Sequence, residues 1–190
     1  TGSISVDDAN LLSATTTGTV TASITTTESI TELKTLTETS NAYTIVISSA
    51  DATATASDLN TLDAKTTVTI DAGAITELSG TYAEVTALYG SAGVDNLGDE
   101  AISISDALTV TQANGIDSFT TGVVTASIAT TETVDSLVNL AGTNAYTIVI
   151  SSEDAAVSAG DLSKINALTT VNIDAGAITE LSGTYAEVTA

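Results

Sequence analysis

The 190 residues carry 24 acidic side chains against 3 Lys, a formal charge of −21, yet 43% of them are hydrophobic; a chain this apolar is not a disordered acidic tail. His, Cys, Met, Trp and Pro are missing and 38 residues are Thr, which removes imidazole bases, thiolates and thiolate metal sites. Lys34, Lys65 and Lys164 are the only cations, so phosphate and anionic lipid are repelled, and neither nucleic acid nor a polybasic membrane contact is expected as a partner. No run approaches the roughly 20 apolar residues of a membrane helix.

The chain is long enough for a sizeable core. Aromatics make up only 3%, so that core is expected to be thin and layered, filled by Ala, Val, Ile and Leu. In chain order, β-branched segments that alternate apolar and hydroxyl residues occur at 19–24, 43–48, 67–71, 101–105, 123–128, 146–151 and 170–174, most of them starting 22 to 25 residues apart. Val68 and Ile70 against Thr67 and Thr69 show the period of two that a strand with one buried face requires. Between them, apolar spacings of three or four predict short amphipathic helical turns at Ile30, Leu33 and Leu36, at Leu59 and Leu62, and at Val85 and Leu88. Ser29 with Glu32, Thr81 with Glu84 and Thr184 with Glu187 have the spacing of a capping box, in which two side chains satisfy free amides at a helix start.

The segments repeat. Residues 41–49 (NAYTIVISS) recur letter for letter at 144–152, and 70–87 (IDAGAITELSGTYAEVTA) at 173–190, an offset of 103. Upstream, Ala9-Asn10, Gly18 and 20–24 match Ala113-Asn114, Gly122 and 124–128 at an offset of 104. The organisation read from this is a first unit over 1–104 and a second, incomplete unit over 105–190, continuous with the first, in a piece of a longer protein whose targeting information lies elsewhere. Short strands with helical returns predict a mainly β chain: a right-handed parallel β-solenoid of about eight coils of 22 to 25 residues.

The run from Val68 through Ile70, Ile75 and Leu78 to Val85 and Leu88 resembles the leucine-rich repeat in its spacing. Gly73 stands where that family carries Asn, so the resemblance implies α/β coils stacked along one axis without an Asn ladder. The Thr/Ala/Asp-rich, Cys-free chain as a whole is similar to the repetitive exoproteins of cyanobacteria and marine proteobacteria, exported by type I secretion beside RTX segments. That resemblance implies a secreted, extracellular or bacterial cell-surface location.

Two places could carry a site. With the apolar set pointing inward, Thr21, Thr44, Thr69, Ser103, Thr125, Thr147 and Asn172 are expected in one outward column. They serve either as cross-strand pairs among good β-formers or as a regular hydroxyl surface for ice or polysaccharide. In the acidic loop 90–100, Asp95, Asn96, Asp99 and Glu100 lie among glycines, the oxygen-rich setting a hard cation such as Ca²⁺ requires; a plain solvated loop is the alternative. The loop matches neither the EF-hand nor the RTX nonapeptide. Asp51, Asp71, Asp154 and Asp174 recur at equivalent positions and suit turns and helix N-termini, or a weaker calcium ladder.

No Ser has an activating base in sequence reach, and any carboxylate pair would occur twice with the repeat. The chain is therefore not expected to be an enzyme. The expected role is a structural or adhesive segment of a surface protein, an S-layer, extracellular filament or adhesin stalk, with ligand binding along the Thr column as the alternative. Expected partners are further repeats or end-to-end copies of the same chain, and divalent cations.

Overall fold

The computed structural model describes residues 2–188; Thr1, Thr189 and Ala190, the last two belonging to the second copy of the repeat, lie outside the described residues. Two compact units are present, Thr1–Glu100 and Ala101–Ala190.

The first unit begins with helix α1 (Val6–Thr15), followed by strand β1 (Thr21–Ser23), helix α2 (Ile30–Leu33), strands β2 (Ala42–Thr44) and β3 (Thr53–Thr55) and helix α3 (Ala56–Asp63). Strands β4 (Ile70–Asp71) and β5 (Glu77–Gly80), helix α4 (Tyr82–Gly90) and strand β6 (Val94–Asp95) complete it. Within this unit β1 pairs with β2, β3 with β5 and β4 with β6, each pair parallel. The second unit holds β7 (Ala101–Leu108), α5 (Val110–Asp117), β8 (Val124–Ile128), α6 (Val134–Leu137), β9 (Ala145–Thr147), β10 (Ala156–Ser158), α7 (Ala159–Ala167), β11 (Glu180–Ser182) and α8 (Tyr185–Val188). Here β8 lies between β7 and β9, and β10 pairs with β11, again parallel.

The expectation of a mainly β, right-handed parallel β-solenoid of about eight coils is overturned. Among the described residues helix outweighs strand, 32% against 25%, the strands form several small parallel sheets, and no solenoid is found. Two physical causes stand out. Hydroxyl residues outside the three capping boxes read from the sequence start four helices: Ser5, Thr55, Thr109 and Ser158 each accept the N–H of the residue three positions on, as N-caps of α1, α3, α5 and α7. Those four helices run 8 to 10 residues, longer than the single turns expected. Elsewhere a side chain replaces a ladder partner. The Tyr43 N–H donates to Thr66 Oγ1 at 3.0 Å, and that hydroxyl donates back to the Tyr43 carbonyl at 2.8 Å, so continuous backbone pairing stops there.

Each unit encloses its own core. In the first, Leu33, Leu36, Ile45, Leu59, Leu62, Ile70, Ile75, Leu78, Val85 and Leu88 are buried; in the second, Ile102, Leu108, Ala113, Ile116, Val124, Ile148, Ile150 and Ile165. Burying one such side chain stabilises by roughly 1.5–3 kcal/mol.

All three capping boxes read from the sequence are formed. Ser29 and Glu32 exchange bonds at the start of α2, Thr81 and Glu84 at α4, and the Thr184 N–H donates to Glu187 Oε2 at 2.7 Å while the Glu187 N–H donates to Thr184 Oγ1 at 3.4 Å. The amides of Ser29, Thr81 and Thr184 hold Glu32, Glu84 and Glu187 below the usual carboxylate range. Asp71 is lowered by the Asn96 amide and the Gly73 N–H, and Asp161 by Lys164 and Ser158. A carboxylate whose folded pKa lies below its unfolded value adds stability at higher pH and loses it as pH falls through the folded value. Every resolved carboxylate shift is downward, so the unfolded chain takes up more protons on acidification. Acidification also relaxes the repulsion within a chain of −21, but the melting temperature is expected to fall between about pH 5 and pH 3. Thermal circular dichroism across that window checks it, and a rise would show that repulsion outweighs the caps.

Candidate functional site

The acidic loop closes on itself. Asp95 ends β6, where it pairs with Asp71 at the end of β4. Its Oδ1 accepts the Asn96 N–H at 2.7 Å, and Asn96 sits at φ 64, in the left-handed region. The Asn96 side chain donates to Asp71 Oδ1 at 2.9 Å. Glu100 is buried, and its Oε2 accepts the N–H groups of Gly98 and Asp99 at 2.7 and 3.2 Å. Asp95, Asn96 and Asp99 are exposed. The four residues therefore share one turn, but Asp95 and Glu100 bond the turn's own amides and do not converge on a common centre. Among the described residues no group of three or more acidic side chains is arranged to hold a metal ion.

The repeated acids act the same way. Asp51 Oδ2 accepts the first N–H of α2, from Ile30, at 3.1 Å, and Asp154 Oδ2 accepts that of α6, from Val134, at 2.9 Å. Asp71 and Asp174 each accept an N–H two residues on, from Gly73 and Gly176, at 3.1 and 3.0 Å. These are turn and helix-start bonds.

The hydroxyl residues do lie on one exposed face in each unit, but in two rows. In the first unit Thr21 is level with Ala42, two residues away from the Thr44 level, while Ser23 is level with Thr44. The bridge between Val46 and Asp71 carries that second row on to Thr69. In the second unit Ser103, Thr125 and Ala145 share one row. Ser127 and Thr147 share the other, which the bridge between Val149 and Asp174 continues to Asn172. Thr44 and Thr69 are thus neighbours, as are Ser103 and Thr125 or Thr147 and Asn172. Adjacent rows are about 7 Å apart along the strands, and neighbours within a row about 4.8 Å apart. Val46 and Val149 are exposed on the same faces, giving a surface of hydroxyls and methyls.

The letter-for-letter repeat has a use separate from the hydroxyl column. Asn41 and Asn144 are buried. Asn41 Oδ1 accepts the Val20 N–H at 2.8 Å while its amide donates to Ser13 Oγ and to the Tyr43 hydroxyl, both at 3.0 Å. Asn144 Oδ1 accepts the Val124 N–H at 2.8 Å, and its amide donates to Asp117 Oδ1 at 2.6 Å and to the Tyr146 hydroxyl at 3.2 Å. The two hydroxyls donate to the carbonyls of Ala9 and Ala113, both at 3.5 Å. Each Asn thus ties a strand, a tyrosine and a helix together. Burial and then the Asp117 carboxylate push the Tyr146 hydroxyl up to about 12. Identical polar letters inside an apolar segment were the available signal.

Gly142 protects this cluster. It adopts φ +67, and a Cβ there would lie 2.6 Å from Asp117 Oδ1 and 2.9 Å from Asn144 Nδ2. Gly142→Ala combines left-handed strain with displacement of a charge-assisted bond, and is expected to cost about 2–3 kcal/mol, measured by thermal or urea unfolding.

Shallow depressions accompany these features. One of about 180 Å³ is lined by Ile30, Asp51, Thr55 and Asp58 among others. No helix among the described residues is long and apolar enough to cross a membrane. Comparison with protein-family models, with curated proteins and with solved structures finds no match.

Proposed function

We propose that the chain is a structural or adhesive repeat segment of a secreted bacterial cell-surface protein. One observation carries the reading: the buried polar letters held identical between the two copies are spent on packing. Asn41, Tyr43 and Thr66 bond one another's elements in the first unit as Asn144, Tyr146 and Thr169 do in the second. A chain that duplicates a scaffold while presenting exposed hydroxyls and a charge of −21 suits a hydrated extracellular layer. Divalent cations there act by screening the acidic surface.

The test is location. Antibody raised against the chain should decorate intact cells of the source bacterium in immunogold electron microscopy. Labelling only after permeabilisation would end the reading.

A second reading is favoured by the in-register rows Ser23–Thr44–Thr69 and Ser127–Thr147–Asn172: binding of ice or polysaccharide along the hydroxyl face. Thermal hysteresis or polysaccharide co-sedimentation by the purified chain, lost in Thr44→Tyr, is its expected result. Neither activity at high protein concentration would remove it.

A further inference from the structure

We propose that Asn114 is a site of spontaneous covalent modification in the second unit: its side-chain amide is lost by attack of the Gly115 backbone nitrogen, and the loss unties α5 from the chain that follows α6. The chemistry is independent of where the protein works. Of the nine asparagines, Asn114 alone precedes a glycine, which has no Cβ to hinder attack by its nitrogen. Packing does not demand that glycine. A Cβ at position 115 would meet nothing within 4 Å, and the residue lies inside α5 without a positive φ. Inside a helix glycine is less favourable than alanine, so the residue that makes the bond labile also helps the end of α5 to open.

The repeat supplies an internal comparison. Asn114 Nδ2 donates to the Asn139 carbonyl at 2.9 Å, and Asn114 Oδ1 accepts the Ala141 N–H at 2.7 Å. In the first unit, 104 residues earlier, Asn10 makes the equivalent bonds, to the Thr35 carbonyl at 3.1 Å and from the Thr37 N–H at 3.0 Å, but Leu11 follows it. The two asparagines are tied alike and differ in the next residue. In the closed helix the side chain is held at both atoms, so reaction waits for the end of α5 to open. The Gly115 nitrogen then gives its proton to hydroxide and bonds to Asn114 Cγ; the Cγ–Nδ2 bond breaks and ammonia leaves with a proton from water, closing a succinimide ring. Water opens the ring. Cleavage of the new bond gives aspartate, and cleavage between the nitrogen and the Asn114 main-chain carbonyl carbon gives isoaspartate, whose backbone runs through the former side chain. Neither product restores the tie. A carboxylate accepts but does not donate, so it keeps the Ala141 N–H and sets an oxygen against the Asn139 carbonyl. Isoaspartate also disturbs the helical spacing that lets the Ser118 N–H reach the Asn114 carbonyl.

The test ages the folded 190-residue chain in mildly alkaline buffer and follows it by peptide mapping with mass spectrometry and isoaspartate detection. Asn114 should convert first, with the mass gain of an amide turned to a carboxylate, while Asn10 stays intact. Gly115→Ala, whose added methyl has room, should abolish conversion at 114. Leu11→Gly, at a side chain 66% exposed, should create conversion at Asn10. By thermal circular dichroism the aged parent should melt below the fresh parent, at least as far below it as fresh Asn114→Asp does, and aged Gly115→Ala should melt as it did when fresh. A folded parent that keeps Asn114 intact over the time in which the urea-unfolded chain converts it would overturn the proposal, because the fold then seals the bond. So would conversion without a fall in melting temperature, because the tie to Asn139 then holds nothing.

Discussion

Leu78→Ala is expected to destabilise the protein by about 2–5 kcal/mol, and Leu181→Ala by less than about 0.5–1 kcal/mol, although both leucines sit in the same letters, Glu-Leu-Ser-Gly, and in matching strands. Leu78 lies on β5 opposite Ala54 of β3, and Leu181 on β11 opposite Val157 of β10. Strand propensity, neighbours in sequence and pairing direction are alike, so the contrast isolates burial, 1% against 47%. Deleting three heavy atoms from a packed site removes their transfer free energy and leaves a cavity; at an exposed site neither cost is large. For a chain of this length 1 kcal/mol shifts the melting temperature by roughly 2–4 °C, so Leu78→Ala should melt roughly 5–15 °C below the parent. Equal losses at the two sites would mean that Leu181 is packed as tightly as Leu78.

What was legible in the sequence is what a local pattern can encode. The alternation at 123–128 became β8, with Val124, Ala126 and Ile128 inward and Thr125 and Ser127 outward. The three capping boxes could be read because a box is a four-residue object with its own geometry. Register between strands was not legible, because parallel pairing depends on how much chain the connection consumes. Matching Thr21 to Thr44 assumes a step of 23 residues, whereas the bonded partner of Thr21 is Ala42, a step of 21, and Val46 pairs with Asp71 across a step of 25. A uniform period therefore merged two rows into one. Helix content was underestimated for a related reason. Ser5, Thr55, Thr109 and Ser158 lie outside the three boxes read from the sequence, and only the acid or amide three residues later, Asp8, Asp58, Gln112 or Asp161, marks them as helix starts. In the acidic loop, composition revealed the oxygens but not where they point, and Asp95 and Glu100 turn to backbone amides that no count of carboxylates reveals.

The buried asparagines give the second large effect. Asn144→Leu is nearly equal in volume, so it leaves little cavity, and its expected cost of about 3–4 kcal/mol comes from hydrogen bonds. The Val124 N–H loses its acceptor and Asp117 loses a donor at 2.6 Å; a buried donor left unsatisfied costs about 1–3 kcal/mol and a bond to a charged group contributes about 1.5–3 kcal/mol. Asn41→Leu in the first unit should cost less, about 2–3 kcal/mol, because its third partner is the neutral Ser13 hydroxyl at 3.0 Å instead of a carboxylate. Urea unfolding of both variants checks the order. The cause can be separated by a cycle: in an Asp117→Ser background the second unit carries the first unit's partner, and the cost of Asn144→Leu should shrink toward that of Asn41→Leu. A cost unchanged by Asp117→Ser would show that the ladder bond to Val124, rather than the link to the helix end, holds this corner of the fold.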